Sequence, residues 1–240
     1  MSPFDQTISL SDVAIRLALT LVPMILSLSV HECAHAFAAY LLGDSTAKHQ
    51  GRLTLNPISH VDPWGTLIIP AIGVVASATA GGGTFPFIGW ARPTPYNPRE
   101  FKRFRGRLGT AIVAAAGPLS NLVVAVISVA IIALCIRAGL PLGNQVEQGA
   151  AWHPTGLARF LEQMFALNVT LAVFNLIPIP PLDGSQLLPP VFDPILRRIR
   201  GSGFLLIMLI VFVFPSVGDM IIRRPTSYLM TQILALFGLG

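Results

Sequence analysis

Two histidines and a glutamate fall within five residues, His31-Glu32-Cys33-Ala34-His35, and spell H-E-x-x-H. Residues four apart share one face of a helix, so both imidazoles can reach a single metal ion. Glu32 lies beside the first histidine and can serve as general base toward a water whose pKa zinc lowers from ~16 to near 7. A bare pattern of this kind also arises by chance, and a histidine on an apolar helix often does no more than pack. Here the surrounding residues are apolar, and ionisable groups inside a membrane span are costly and need partners. Packing alone leaves that cost unexplained.

A catalytic zinc takes a third protein ligand and keeps one position open. Most of the eleven acidic residues lie in expected loops or near the termini. Asp183 instead closes the charge-free run 163–182, inside the sequence Asn175-Leu-Ile-Pro-Ile-Pro-Pro-Leu-Asp183-Gly184. Pro178, Pro180 and Pro181 rule out a regular helix there, which would leave the carboxylate facing a polar cavity. The same stretch also reads as a plain Asp-Gly turn ending a helix at the membrane interface.

The elements that must carry these groups are set by composition. Of the 240 residues, 53% are hydrophobic and 11% charged, with a mean hydropathy of +0.68; a soluble domain averages ~25% charged. Charge-free stretches run over 108–136, 163–182 and 201–218, with a fourth, broken by Gly and Pro, over 63–91. About 20 apolar residues cross the hydrocarbon. The segment 17–30 is preceded by Asp5 and Asp12 with Arg16 as its single positive flank, and no small-x-small site follows, so it reads as a span and not a signal peptide.

The expected fold is an all-α polytopic membrane protein with about four transmembrane helices, near 12–42, 108–138, 157–182 and 202–222; residues 225–240 are too short to assign. Pro63, Pro70 and the run Gly81-Gly82-Gly83 predict a re-entrant segment over 64–82. Alternation around Leu53 and Leu55 predicts a small membrane-associated β element within 49–62. No repeat is visible, so 1–240 reads as one integral-membrane domain, with a catalytic core over about 12–190 and a helical extension over about 191–240.

The net charge of +5 is placed, not spread: Arg92, Arg99, Lys102, Arg103, Arg105 and Arg107 cluster against Glu100 alone. That pattern marks a cytoplasmic loop under the positive-inside rule, with lipid and not nucleic acid as the partner. The H-E-x-x-H run lies in the last third of the first span and Asp183 ends the third, so both reach one depth, near the cytoplasmic face. Cys33 and Cys135 sit in apolar runs without a C-x-x-C pair, predicting neither a disulfide framework nor a thiolate metal site. His49, His60 and His153 read as structural or solvated.

The pairing of HECAH with NLIPIPPLDG resembles the site-2 protease family of intramembrane zinc metalloproteases. Ala116-Gly117-Pro118-Leu119-Ser120-Asn121, GRLTLNP at 51–57 and GWARP at 89–93 agree, the last two resembling compact bacterial members without a PDZ domain. The resemblance implies one Zn2+ per chain held by His31, His35 and Asp183, with Glu32 as the base. It places on Asn175 a role in holding substrate or polarising the scissile carbonyl, an effect worth ~3 to 4 kcal/mol in other hydrolases.

Asn121 reads equally as an interhelical packing residue or as part of the site. The implied activity is hydrolysis of peptide bonds within or near transmembrane segments of a protein or peptide substrate, in a bacterial inner membrane with the site toward the cytoplasm. A substrate helix must unwind first, and the strand near Gly51 to Leu55, or the GWARP stretch, is expected to clamp it by edge pairing. Two other readings stand beside this one, an ion-coupled transporter built on broken spans and an inert relative that binds membrane partners. The sequence is silent on oligomeric state.

Overall fold

The computed structural model describes residues 9–79, 89–144 and 153–239. Three helices are long and apolar enough to cross a membrane: α1 (Leu10–Leu42), α3 (Arg107–Arg137) and α4 (Gly156–Asn175), with a shorter α2 (Ile69–Thr79) between the first two. Ser9 caps the start of α1 by accepting from the Ser11 amide, and Gly43, at φ 109°, closes its end in the left-handed region. The carbonyl of Leu42 at that end accepts the amides of Lys102 and Arg103, so the basic loop docks on the terminus of α1.

Small residues let α1 and α3 approach closely, a packing mode suited to lipid, where no hydrophobic drive separates helix from solvent. Ala38, Ala39 and Leu42 of α1 meet Val113 of α3 and Phe101 of the basic loop in one buried cluster. The opposite faces carry Val22, Leu26, Phe37, Leu41, Leu119, Val123, Ile127 and Leu134 exposed, as lipid-facing helices require.

The expected third span to residue 182 ends earlier, at Asn175. The cause is local: Pro178, Pro180 and Pro181 have no N–H to continue the ladder. The expected straight span 202–222 is instead bent. Helix α5 (Gly203–Val213) and the chain from Pro215 to Leu236 meet at 100°, so a fourth crossing exists only if this broken pair counts as one. The last helix, α6 (Arg224–Leu236), buries Ile233 against Ala125, Val129, Phe165 and Val169 of α3 and α4.

The β element expected within 49–62 is absent. Leu53 and Leu55 lie in turns between a helical turn at Thr46–His49 and a 3-10 turn at Pro57–Ser59. Two alternating residues are too few to outweigh Gly51, Asn56 and Pro57, which each favour a turn. Among the described residues the β pairing is confined to a two-residue ladder joining Gly143–Asn144 to His153–Pro154.

The excursion that begins at Pro63 enters as a π-helical turn, Pro63–Ile68, and continues as α2. Asp62 caps it by accepting from Trp64 and Gly65 amides. The run Gly81-Gly82-Gly83 lies outside the described residues. On the return, Trp90 donates to the carbonyl of Gly65 and Thr66 Oγ1 donates to the carbonyl of Trp90 at 2.8 Å. The described chain on the return side, at Trp90, is thus tied to the entry of the excursion at Gly65 and Thr66.

Candidate metal centre

Helix α1 places His31 and His35 one turn apart, and the proline-broken segment after α4 brings Asp183 to them. His31 Nε2 and His35 Nε2 lie 3.0 Å apart, and Asp183 Oδ2 is 3.2 Å from the first and 3.3 Å from the second. Among the described residues this is the group of three potential ligands with all donor atoms within 4.8 Å. Both cysteines are free and belong to no such group.

The donor chemistry fits a cation. His31 Nδ1 faces Asn121 Oδ1 at 2.6 Å, and His35 Nδ1 faces the carbonyl of Val113 at 2.7 Å. Each partner is an acceptor, so each Nδ1 carries the proton and each Nε2 presents a lone pair. Asp183 Oδ2 is buried with no hydrogen-bond donor. Two imidazole nitrogens whose partners leave them free to present lone pairs thus converge with a carboxylate oxygen, an arrangement suited to a shared cation. Zinc–nitrogen and zinc–oxygen bonds of about 2.0–2.2 Å imply tetrahedral edges of about 3.3–3.6 Å, and the observed triangle is only slightly tighter.

Room for an ion is made by Gly117 of α3. A Cβ built there would lie 2.5 Å from His31 Cε1 and from His35 Nε2, and 2.6 Å from His31 Nε2. Bare backbone forms the wall behind the triad. Beyond Asp183, the chain is moored by Arg107, which pairs with Asp193 at 2.7 Å and donates to the carbonyl of Leu188.

Glu32 is 9% exposed, and its Oε2 accepts the backbone N–H of Thr94 at 2.7 Å. The Thr94 hydroxyl in turn donates to the Glu32 carbonyl at 3.0 Å. Residues 89–97 form an extended strap across this end of the site. Within it Trp90, Arg92 and Thr94 spend their amides on Gly65, His60 and Glu32, while Pro93 and Pro95 have none. Tyr96, also on the strap, donates its hydroxyl to Gln186. Burial and the nearby Asp183 charge push its phenol pKa up, so it stays a donor.

Asp44, 1% exposed, holds the far end of the strap. It accepts the Asn97 amide at 2.7 Å and the Thr46 amide at 2.8 Å. Asp44→Ala strands these donors and is expected to cost about 1–3 kcal/mol, read as a lower thermal midpoint in detergent; an unchanged midpoint would show that the clamp contributes nothing.

The other predicted residues take different places. Asn175 ends α4 half-buried, and its Nδ2 donates to Leu171 of its own helix at 3.0 Å, with no hydrogen bond to the triad. Asn121 is buried at 0% exposure, with its Oδ1 on His31 and its amide donating across helices to Asn168. His60 is buried and bonds the carbonyl of Thr54, a structural role, whereas His49 is exposed. Sequence reasoning missed Thr94, Val113 and Asn168. The first two act through backbone atoms, which no residue type announces; Asn168, an amide in the middle of a span, carried the same signal as Asn121.

The model of peptidase family M50 matches residues 19–216. YwhC of Bacillus subtilis (strain 168), named as a candidate zinc metalloprotease, is 39% identical over 220 residues, covering 90% of this chain and 89% of its own length. Rip2 of Mycolicibacterium smegmatis, named likewise, is 30% identical over 198 residues, 80% of this chain and 66% of its own length. Rip2 of Mycobacterium tuberculosis (strain H37Rv) is 28% identical, again with 66% of its length matched. No solved structure matches the chain.

Proposed function

Because the chain belongs to peptidase family M50, we propose that it is a site-2 protease, hydrolysing peptide bonds within or near transmembrane segments with one zinc held by His31, His35 and Asp183. The single observation that carries this reading is the convergence of His31 Nε2, His35 Nε2 and Asp183 Oδ2 at 3.0–3.3 Å.

Zinc, once held, supplies Lewis acidity toward the scissile carbonyl and acidifies an attacking water. Glu32 performs the proton work. Its Oε2 is pinned by the Thr94 amide, which leaves Oε1 to take the proton from water and return it to the leaving amide nitrogen. Asn175 would turn its amide from Leu171 toward the substrate carbonyl, the role the family resemblance gives it. Ala91 to Pro95 is the segment suited to hold an unwound substrate, replacing the strand expected at 51–55.

The localisation follows the same logic. The basic loop docks on the end of α1 nearest the H-E-x-x-H run, so under the positive-inside rule the site opens toward the cytoplasm of a bacterial inner membrane. We read 12–190 as the catalytic core and 191–240 as a helical extension. No feature described above favours a transporter or an inert relative.

The test is cleavage of a co-expressed single-span reporter, followed by assay of detergent-purified protein. Cleavage within the span is expected, lost on treatment with a chelator and restored by zinc. Cleavage by metal-free protein, or none under any metal condition, would overturn the reading.

A further inference from the structure

Behind His31 lies a chain of buried polar groups that joins all three long helices. His31 Nδ1 meets Asn121 Oδ1 on α3 at 2.6 Å, and Asn121 Nδ2 donates to Asn168 Oδ1 on α4 at 2.8 Å. Asn168 Nδ2 donates to Ser27 Oγ, back on α1, at 2.7 Å and to the carbonyl of Met164 at 2.7 Å. The Ser27 hydroxyl donates to the carbonyl of Pro23 at 2.7 Å. Ser27, Asn121 and Asn168 are each 0% exposed, so bulk solvent does not reach the network.

The direction of this chain is fixed by its far end. Backbone carbonyls can only accept, so the Met164 carbonyl forces the NH2 group of Asn168 toward it and the Pro23 carbonyl commits the Ser27 hydrogen. Asn168 Oδ1 is then turned to Asn121, which must donate, and Asn121 Oδ1 is turned to His31. The ring of His31 is left with its proton on Nδ1 and its lone pair on Nε2, facing Asp183 and His35. Reversing any one amide would set two donors or two acceptors against each other in a buried site, at about 1–3 kcal/mol for each group left unsatisfied.

We propose that Asn168 is a positioning residue for the metal centre: acting through Asn121, it sets the tautomer and ring orientation of His31. This rests on the reading of His31 as a zinc ligand. Partners bonded directly to a ligating histidine, the place Asn121 holds here, change metal affinity by about 10–100-fold when removed, and Asn168 acts through that partner.

Two substitutions separate positioning from packing. Asn168→Leu keeps the branched shape but cannot accept from Asn121, freeing that amide to turn over. Asn168→Asp keeps an acceptor toward Asn121 whether ionised or protonated, and its protonated form gives one hydrogen, to Met164 or to Ser27, where the amide gives two. If Asn168 only packs, leucine is the better tolerated of the two replacements, since it keeps the branched shape and brings no charge into a buried site. If it positions His31, the order inverts.

The readouts are 15N shifts of the His31 ring in zinc-free protein and zinc affinity by chelator competition. Asn168→Leu is expected to replace the single Nδ1–H pattern by a tautomer mixture and to weaken zinc binding by about 10–100-fold, while Asn168→Asp keeps both close to wild type. Unchanged shifts and affinity in Asn168→Leu, or leucine outperforming aspartate, would overturn the proposal. Asn168→Ala serves if the leucine variant does not fold, and if the aspartate variant fails, the leucine result decides alone. Zinc binding by wild type and its loss in His31→Ala test the ligand reading separately, and the ring shifts, taken without zinc, stand whatever that outcome.

Discussion

Glu32→Gln is expected to abolish cleavage of a membrane-spanning reporter while retaining about one zinc per chain, whereas Asp183→Ala is expected to lose both. The split follows from where the two carboxylates sit. Asp183 Oδ2 lies within 3.3 Å of both imidazole nitrogens, and its removal leaves two ligands where a catalytic zinc takes three. Glu32 is in the same turn but directs its Oε2 to the Thr94 amide. Glutamine there keeps an acceptor oxygen for that amide and loses the capacity to take a proton. General-base contributions of about 10²–10⁴-fold set the scale of the loss. The measurement is zinc content of purified protein beside reporter cleavage in the same membranes. Zinc lost from Glu32→Gln, or kept at full occupancy in Asp183→Ala, would contradict the assignment of roles.

Gly117→Ala is the second large effect, and it comes from a residue with no side chain to lose. A methyl at that position would stand 2.5 Å from His35 Nε2 and 2.6 Å from His31 Nε2, well inside van der Waals contact. Relief requires α3 to retreat or the two rings to swing away, and either disperses the triangle. Zinc affinity is expected to fall more than about 100-fold, beyond the usual effect of a residue outside the ligand set. Intrinsic helix propensity favours alanine over glycine by about 1 kcal/mol, so the loss should not track with lost helix. Far-UV circular dichroism and chelator competition on one preparation check both halves. A variant that binds zinc as tightly as wild type would show that the wall behind the triad is softer than its geometry implies.

Legibility of the sequence followed the range of the forces involved. His31 and His35 could be paired because a helix fixes the relation between positions four apart. Asp183 stood out as a carboxylate among three prolines in an apolar run, a pattern a plain Asp-Gly turn also fits, and its assignment as ligand, like that of Glu32 as base, came from the family resemblance. The three long spans were readable from length and hydropathy alone. The strand at Leu53 and Leu55 failed because alternation over two residues is weaker evidence than the turn formers around it. The helix over 202–222 failed at Phe214-Pro215, where the proline removes an N–H and pushes the preceding residue out of helical geometry, a local signal the long apolar run obscured. Asn175 was placed by resemblance, and the geometry leaves its amide bonded within its own helix. The partners of the two imidazoles were half visible: Asn121 as an amide in a span, the Val113 carbonyl not at all.

The strap from Trp90 to Pro95 has spent or forfeited five of its six amide hydrogens, keeping that of Ala91. A chain paired along it would therefore be chiefly the giver, supplying N–H groups to the strap's carbonyls other than that of Trp90, which Thr66 already holds. A guest with proline at the facing positions would have nothing to give, so pairing of this kind would discriminate on backbone chemistry before any side chain is read.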